Sequence, residues 1–480
     1  PMRRTKIVAT LGPATDKPGV LTRLVAAGLD AARLNYSHGS ASDHARRAAE
    51  VRAAAAAAGR ELGLIADLQG PKIRIERFRD GPVELVEGAA FALDAALGAG
   101  DGNQHEVGLT YKALPEDVRA GDVLLVDDGR IVLDVTAVDG PRISTRVAVG
   151  GPLSNNKGVN RQGGGLSAPA LTDKDKEDLA HALAHGADYV AVSFPRSAAD
   201  IEAARELIRA LGGRAGIIAK IERAEALERA AEIIAASDAI MIARGDLGVE
   251  IGDARLPPAQ KMLVALARRQ HRVVITATQM MESMIEHPMP TRAEVFDVAN
   301  AVLDGTDAVM LSGETSVGAY PDKAVAAMSR ICLGAEQEWT DPASSTLPDV
   351  GFERVDQAIA MSAIYCGNRI NVKAIAALTE SGATPLWMSR VNTAIPIFAL
   401  ARDATTLRRV TLYRDVVPVR FDVTNIAYEE VTREVLRVLA SRGAVLEGDR
   451  VIITKGDLHG HSGGTNGMKI VTVGDALPVD

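Results

Sequence analysis

The chain is 480 residues long, past the size at which one hydrophobic core stops growing, so two to four domains are expected. Hydrophobic residues make up 47% and charged residues 24%, an ordinary globular composition, and a formal net charge of −8 argues against a basic nucleic-acid footprint. No apolar run approaches the roughly 20 residues that span a bilayer, and no signal-peptide core follows Pro1-Met2-Arg3-Arg4; Cys332 and Cys366 make no disulfide framework, so a cytoplasmic location with no membrane or nucleic-acid partner is expected.

Short β-branched apolar runs recur along the chain, each followed by a helical pattern. They are Lys6–Gly12, Asp30–Ser37, Leu62–Gln69, Asp188–Phe194, Gly216–Glu222, Ala239–Asp246, Val273–Gln279 and Ala308–Glu314. Apolar residues fill most positions, as in a parallel sheet covered on both faces. Helices are expected over Ala53–Ala58, Asp200–Leu211 and Ala224–Ala236. Eight strands alternating with helices predict a (β/α)8 TIM barrel.

The alternation breaks after the third run. Asp80-Gly81, Asp101-Gly102, Asp128-Gly129 and Asp139-Gly140 punctuate short strands, the pattern of a small inserted all-β domain, and Gly163-Gly164-Gly165 reads as its return hinge. Trp339–Pro348 reads as a linker. Alternation then resumes over Val372–Thr379, Ile395–Ala401, Val416–Asp422, Val451–Lys455 and Lys469–Val473, which predicts a C-terminal open α/β domain. The expected plan is barrel over 1–71 and 169–340, inserted small β-barrel domain over 72–168, and C-terminal domain over 345–480.

Active-site residues of such barrels sit at the C-terminal ends of strands. Here those ends are polar: Arg33, Asn35 and Ser37; Asp67; Ser193; Lys220 and Glu222; Arg244 and Asp246; Thr276 and Thr278; Ser312 and Glu314. Residues two apart in a strand point the same way, so Lys220 and Glu222 share a side, and Glu222 with Asp246 suits a divalent ion such as Mg²⁺. Lys220 beside them offers positive charge to a phosphoryl group. The same residues also fit a salt-bridged strand end. Arg33 suits a bidentate phosphate clamp. Asn35, Ser37 and Asp67 suit part of a cation pocket or a hydrogen-bonded cap that includes His38.

These residues sit in longer strings. They are Ala32-Arg33-Leu34-Asn35-Tyr36-Ser37-His38-Gly39, Lys220-Ile221-Glu222, Ala243-Arg244-Gly245-Asp246-Leu247-Gly248, Thr276-Ala277-Thr278-Gln279-Met280, Pro290-Thr291-Arg292-Ala293-Glu294 and Met310-Leu311-Ser312-Gly313-Glu314-Thr315. In their order and spacing, from residue 4 to the C-terminus, they resemble the pyruvate kinase family. The resemblance implies transfer of the phosphoryl group of phosphoenolpyruvate to ADP, giving pyruvate and ATP, the final step of glycolysis, by a homotetramer. It implies that Lys220 stabilises charge on the phosphoryl group, that Glu222 and Asp246 hold Mg²⁺ (or Mn²⁺), and that Arg33 contacts phosphoryl oxygens. It assigns the substrate carboxylate to Thr278 with the backbone at Gly245 and Asp246. It assigns nucleotide contacts to His38, Arg74 and Lys157, with Asp128 facing the site from the insert. Thr278 and Ser312 lie by its proton path, with the donor left open.

One departure concerns the monovalent-cation pocket, which the resemblance places at Asn35, Ser37, Asp67 and Leu68. Many K⁺-dependent members carry Thr-Lys where this chain has Leu68-Gln69, and Glu where it has Lys72. A fixed ammonium at Lys72 can replace the ion's charge, so K⁺ is expected not to be required. In the C-terminal domain, Thr379-Glu380-Ser381-Gly382-Ala383-Thr384 follows a strand and opens a helix, and it resembles the family's effector phosphate loop, with Thr379, Ser381, Gly382 and Thr384 as ligands. The segment from Gly456 to Asn466, with His459 and His461, resembles the loop that closes over the effector. Glu380 would repel a second phosphate, so a sugar monophosphate or AMP is expected. The competing readings are another (β/α)8 lyase or aldolase for phosphoenolpyruvate or pyruvate, and a non-catalytic effector-binding protein.

Overall fold

The computed structural model describes residues 2–337, 351–456 and 463–475. The linker at Trp339–Pro348 and the pair His459 and His461 lie outside the described residues. Eight parallel strands form one closed barrel: β1 (Lys6–Thr10), β2 (Ala31–Asn35), β3 (Gly63–Asp67), β4 (Tyr189–Val192), β5 (Gly216–Ile221), β6 (Ala239–Ala243), β7 (Val273–Ala277) and β8 (Ala308–Leu311). They follow one another around the barrel in chain order, with β8 beside β1. All eight expected strands are present, each ending short of its run. Of the polar residues near those ends, Arg33, Asn35, Asp67, Lys220 and Thr276 stay within the strands, whereas Ser37, Ser193, Glu222, Arg244, Asp246, Thr278, Ser312 and Glu314 stand in the loops and first helical turns beyond the sheet. Every side chain of β1, β3, β5, β6 and β7 is buried, as the continuous apolar runs require.

The chain divides into two compact units. One comprises Pro1–Ala66, Ala182–Tyr189 and Val264–Asp480; the other comprises Asp67–His181 and Val190–Leu263. In the first, the core gathers Ile7, Leu24, Leu34, Val51, Val302, Leu311 and Met328 from strands and covering helices. Helix Ala41–Ala57 starts at a capping box in which Ser40 and Asp43 satisfy each other's backbone N–H. Helix Arg292–Asp304 starts at a second, from Thr291 and Glu294. The Pro290–Glu294 string is thus at least in part a structural cap. The C-terminal sheet has five strands in the order Val416–Arg420, Ile397–Ala401, Ala374–Leu378, Arg450–Lys455 and Gly467–Thr472, the last antiparallel.

In the second unit, the insert is a six-stranded sheet and a two-stranded one around Ile75, Leu93, Leu124 and Ile143. Helix Ala198–Ala210 matches its expected span within two residues, but the expected helix Ala224–Ala236 is two helices, Ala224–Glu228 and Ala230–Ala236. They part at Arg229, whose φ of −102° and ψ of 18° leave the helical region. Among the described residues no helix is long and apolar enough to cross a membrane.

Candidate active site

Lys220 is the next-to-last residue of β5 and is 9% exposed. It reaches Glu222 Oε1 at 2.9 Å, Asp67 Oδ1 at 3.2 Å and Ser193 Oγ at 2.9 Å. Three strand ends thus converge on one ammonium. Glu222, one residue past β5, is buried, and its Oε2 accepts the Phe194 N–H at 2.9 Å. Burial drives the Glu222 carboxyl above the ordinary carboxylate range; Lys220 opposes the rise, and the charges of Asp246 and Asp67 add to it. Packing carboxylates around a single lysine leaves excess negative charge, which favours a further cation.

Asp246 is not on a strand, as the run Ala239–Asp246 suggested. It lies in the first turn of helix Arg244–Ile251, where the free N–H groups of the turn favour a carboxylate. Its partner among the charged side chains is Lys72, at 3.4 Å. Glu222 and Asp246 together offer hard oxygen donors of the kind a divalent cation takes, with waters and substrate completing its shell. No group of three His, Cys, Asp or Glu side chains forms a metal cluster among the described residues.

Other assigned residues of this unit fall in two places. Arg74 and Lys157 come together on paired backbone: Ile75 N–H donates to the Lys157 carbonyl at 2.9 Å, and Arg74 reaches the Asn156 carbonyl at 2.9 Å. Lys157 pairs with Asp127 at 2.8 Å, whereas Asp128 is exposed. Asp127 was not singled out from sequence; both aspartates have positive φ, 53° and 56°, and a doubled Asp before Gly129 was the available signal. Of the oxygens assigned to a monovalent cation, Asp67 is engaged by Lys220, and the Leu68 carbonyl accepts the Ser193 hydroxyl at 2.7 Å.

In the first unit, Arg33 is buried in β2 and donates to Thr10 Oγ1 at 2.9 Å. Asn35 Oδ1 accepts the Ser37 N–H at 3.1 Å, and the His38 carbonyl meets His44 Nε2 at 2.8 Å while His44 stacks on Tyr36. These are the bonds of a cap. Thr278 and Gln279 both take left-handed φ, 67° and 54°. A β-branched residue there costs of order 1–3 kcal/mol and persists where surrounding structure imposes it, commonly at functional sites. The Ser312 hydroxyl is buried and has no hydrogen-bond partner among the described residues, while its N–H donates to Glu314 at 2.7 Å. A dry, unpartnered hydroxyl at the end of β8 is costly unless something else uses it.

In the C-terminal domain an open cleft is lined by Thr379, Ser381, Thr384, Arg402, Lys455 and Thr465, among others. The helix after the loop, Ala383–Met388, has only six residues, so its dipole is a weak anchor. Thr379 and Ser381 already cap the turn, accepting from Gly382 N–H at 2.9 Å and Ala383 N–H at 3.4 Å. Glu380 pairs with Arg402 at 3.3 Å, which offsets the repulsion expected of it.

Comparison with known proteins bears on the whole chain. The family described as "Pyruvate kinase, barrel domain" matches residues 2–325, and "Pyruvate kinase, alpha/beta domain" matches residues 357–471. The chain is 54% identical over 478 residues to "Pyruvate kinase II" of Salmonella typhimurium, covering 98% of this chain and 99% of that one. It is 52% identical to the "Pyruvate kinase" of Haemophilus influenzae, covering 95% and 96%. To that of Mycobacterium intracellulare it is 43% identical, covering 98% and 99%.

Proposed function

The chain belongs to the pyruvate kinase family, and on that premise we propose that the Lys220 cluster is where its phosphoryl transfer takes place. The protein is a phosphotransferase: it moves the phosphoryl group of phosphoenolpyruvate to ADP, giving pyruvate and ATP. The observation that carries the site assignment is the Lys220 ammonium held among Glu222, Asp67 and Ser193, next to the Glu222–Asp246 carboxylates.

In this reading the Lys220 ammonium faces the charge spread over the phosphoryl oxygens as the enol oxygen leaves and a β-phosphate oxygen of ADP arrives. Arg33 clamps those oxygens. The family needs a divalent metal; Mg²⁺, or Mn²⁺ in its place, would be held by Glu222 and Asp246 and would supply positive charge to the phosphoryl group. Thr278, with the Gly245 and Asp246 backbone, orients the substrate carboxylate. His38, Arg74 and Lys157 orient the nucleotide phosphates, and Asp128 faces the site from the insert. The insert, taken as 72–168 between barrel segments 1–71 and 169–340, acts as the lid that excludes water from the transfer. Thr278 and Ser312 stand by the path of the proton that the enolate carbon receives.

The C-terminal domain, 345–480, is read as an effector domain. Thr379, Ser381, Gly382 and Thr384 with Arg402 and Lys455 suit one phosphate, which favours a sugar monophosphate or AMP; the working assembly is a homotetramer. Isothermal titration with phosphorylated sugars and AMP tests the cleft, and binding of none of them would remove it. The main test couples pyruvate formation to a reporter. Wild type is expected to turn over phosphoenolpyruvate and ADP, and Lys220→Met to lose transfer by at least about a thousandfold while still binding phosphoenolpyruvate. Full activity in Lys220→Met would overturn the site.

A further inference from the structure

Ser193 has no role in the assignments above, yet it is the one uncharged side chain among those three partners of the Lys220 ammonium. We infer that Ser193 is a positioning residue for phosphoryl transfer, holding the Lys220 ammonium in direction without cancelling its charge. The inference rests on the reading of Lys220 as the lysine that faces the transferring group.

The hydrogen bonds assign the polarity. The Ser193 hydroxyl has one proton, and it goes to the Leu68 carbonyl at 2.7 Å. A longer approach to Asp67 Oδ1, at 3.5 Å, is the weaker use of that proton. The oxygen turned toward Lys220 at 2.9 Å is therefore an acceptor. An ammonium has three donors and no fixed fork, so its direction depends on its partners. Glu222 and Asp67 hold it by opposite charge, which offsets the positive potential that a phosphoryl group meets. Ser193 holds it by a lone pair and offsets little.

Backbone geometry shows that the surround enforces this placement. Leu68 N–H donates to the Ala191 carbonyl at 3.1 Å, which zips the end of β3 to β4. Gly70 has φ +67°, and a Cβ there would fall 2.6 Å from Ser193 Cβ, so only glycine lets the loop close on the serine. Phe194, a non-glycine residue at φ 56°, turns its N–H onto Glu222. Ser193 thus sits between the loop that leads into the insert and the strand that carries Lys220.

The test uses full-length enzyme with Ser193→Ala, Ser193→Cys and Ser193→Thr, beside Lys220→Met. Cysteine keeps size and shape but accepts hydrogen bonds weakly, which guards against misreading a folding defect. Ser193→Ala and Ser193→Cys are expected to lose about tenfold in kcat, equivalent to about 1.4 kcal/mol, with KM for phosphoenolpyruvate and ADP and the affinity for Mn²⁺ unchanged. Ser193→Thr is expected to recover kcat to within about threefold of wild type. Wild-type kcat in Ser193→Cys, or a loss confined to KM or to Mn²⁺ affinity, would overturn the inference. If Lys220→Met keeps its turnover, the reading of Lys220 fails first, and the Ser193 inference falls with it.

Discussion

Lys72 is the residue proposed to stand in for a monovalent cation at the phosphoryl site. It stands half-buried at the start of the insert, 3.4 Å from Asp246. Its ammonium is a fixed positive charge beside the Asp246 carboxylate, and in the proposed reading it takes the place of a monovalent cation. At partial burial such a charge acts through a lower dielectric than water and is only partly screened by salt. Replacing KCl by tetramethylammonium chloride at constant ionic strength is expected to change kcat by less than about twofold. A strong rate increase with K⁺ would contradict the assigned role. The identity of Lys72 was legible in the sequence as a departure from the family pattern. Its partner was not, because 174 residues separate the two charges.

At the scale of elements, the return from the insert is the informative segment. Gly163, Gly164 and Gly165 all have positive φ, 81°, 78° and 87°, the region that favours glycine. The run expected as a return hinge is also held by hydrogen bonds. Gly163 N–H donates to the Glu250 carbonyl at 3.3 Å, and Gly165 N–H donates to the Glu225 carboxylate. A Cβ at Gly164 would fall 2.3 Å from Glu225 Oε2. The glycines permit close approach to a charged, partly buried cluster. Within it, the Glu250 carboxyl is pushed up to about 7, chiefly by burial, against an opposing hydrogen bond from Ala224 N–H at 2.8 Å. A carboxyl with a raised folded pKa binds more protons folded than unfolded between about pH 4.5 and 7. Its contribution to stability is therefore present at low pH and lost as pH rises through 7. The Glu250→Gln variant is expected to gain on wild type, by on the order of 3 kcal/mol at most, as pH goes from 5 to 8. Melting temperatures of the two proteins across that range check it, and parallel curves would refute it.

At the scale of the whole molecule, the unit that holds the C-terminal domain is knit by buried charge. Asp307, fully buried just before β8, accepts from Val274 N–H at 2.9 Å, Arg390 at 3.0 Å and Arg414 N–H at 3.0 Å. Arg4 adds bonds to the Thr393 carbonyl at 2.7 Å and the Glu336 carbonyl at 2.7 Å. These contacts tie the starts of β1 and β8 to segments of the C-terminal domain, and Asp307 joins β8 to β7. Removing one partner of such a pair leaves the other charge buried and unmatched, which costs about 3–5 kcal/mol. Asp307→Asn is expected to lower the melting temperature by several degrees or more; an unchanged melting temperature would show that the pair is dispensable.

What the sequence by itself determined follows from short-range physics. Continuous apolar runs announced eight buried parallel strands, turn pairs announced the insert, and strand ends named Arg33, Lys220, Glu222, Thr278 and Ser312. The capping boxes at Ser40 and Thr291 were not read from the sequence, where Thr291 stood only as part of a family string. Only the tertiary structure decided who meets whom. Lys220 takes Asp67 and Ser193 from two other strands, Lys157 takes Asp127 and leaves Asp128 in solvent, and Glu380 spends its charge on Arg402. Asp246 moved from an expected strand to a helical turn. The reason is the same in each case. Periodicity fixes which way a side chain faces within its own element, but the partner of a charge is chosen when distant strands close into a barrel, and desolvation then makes that choice strongly felt.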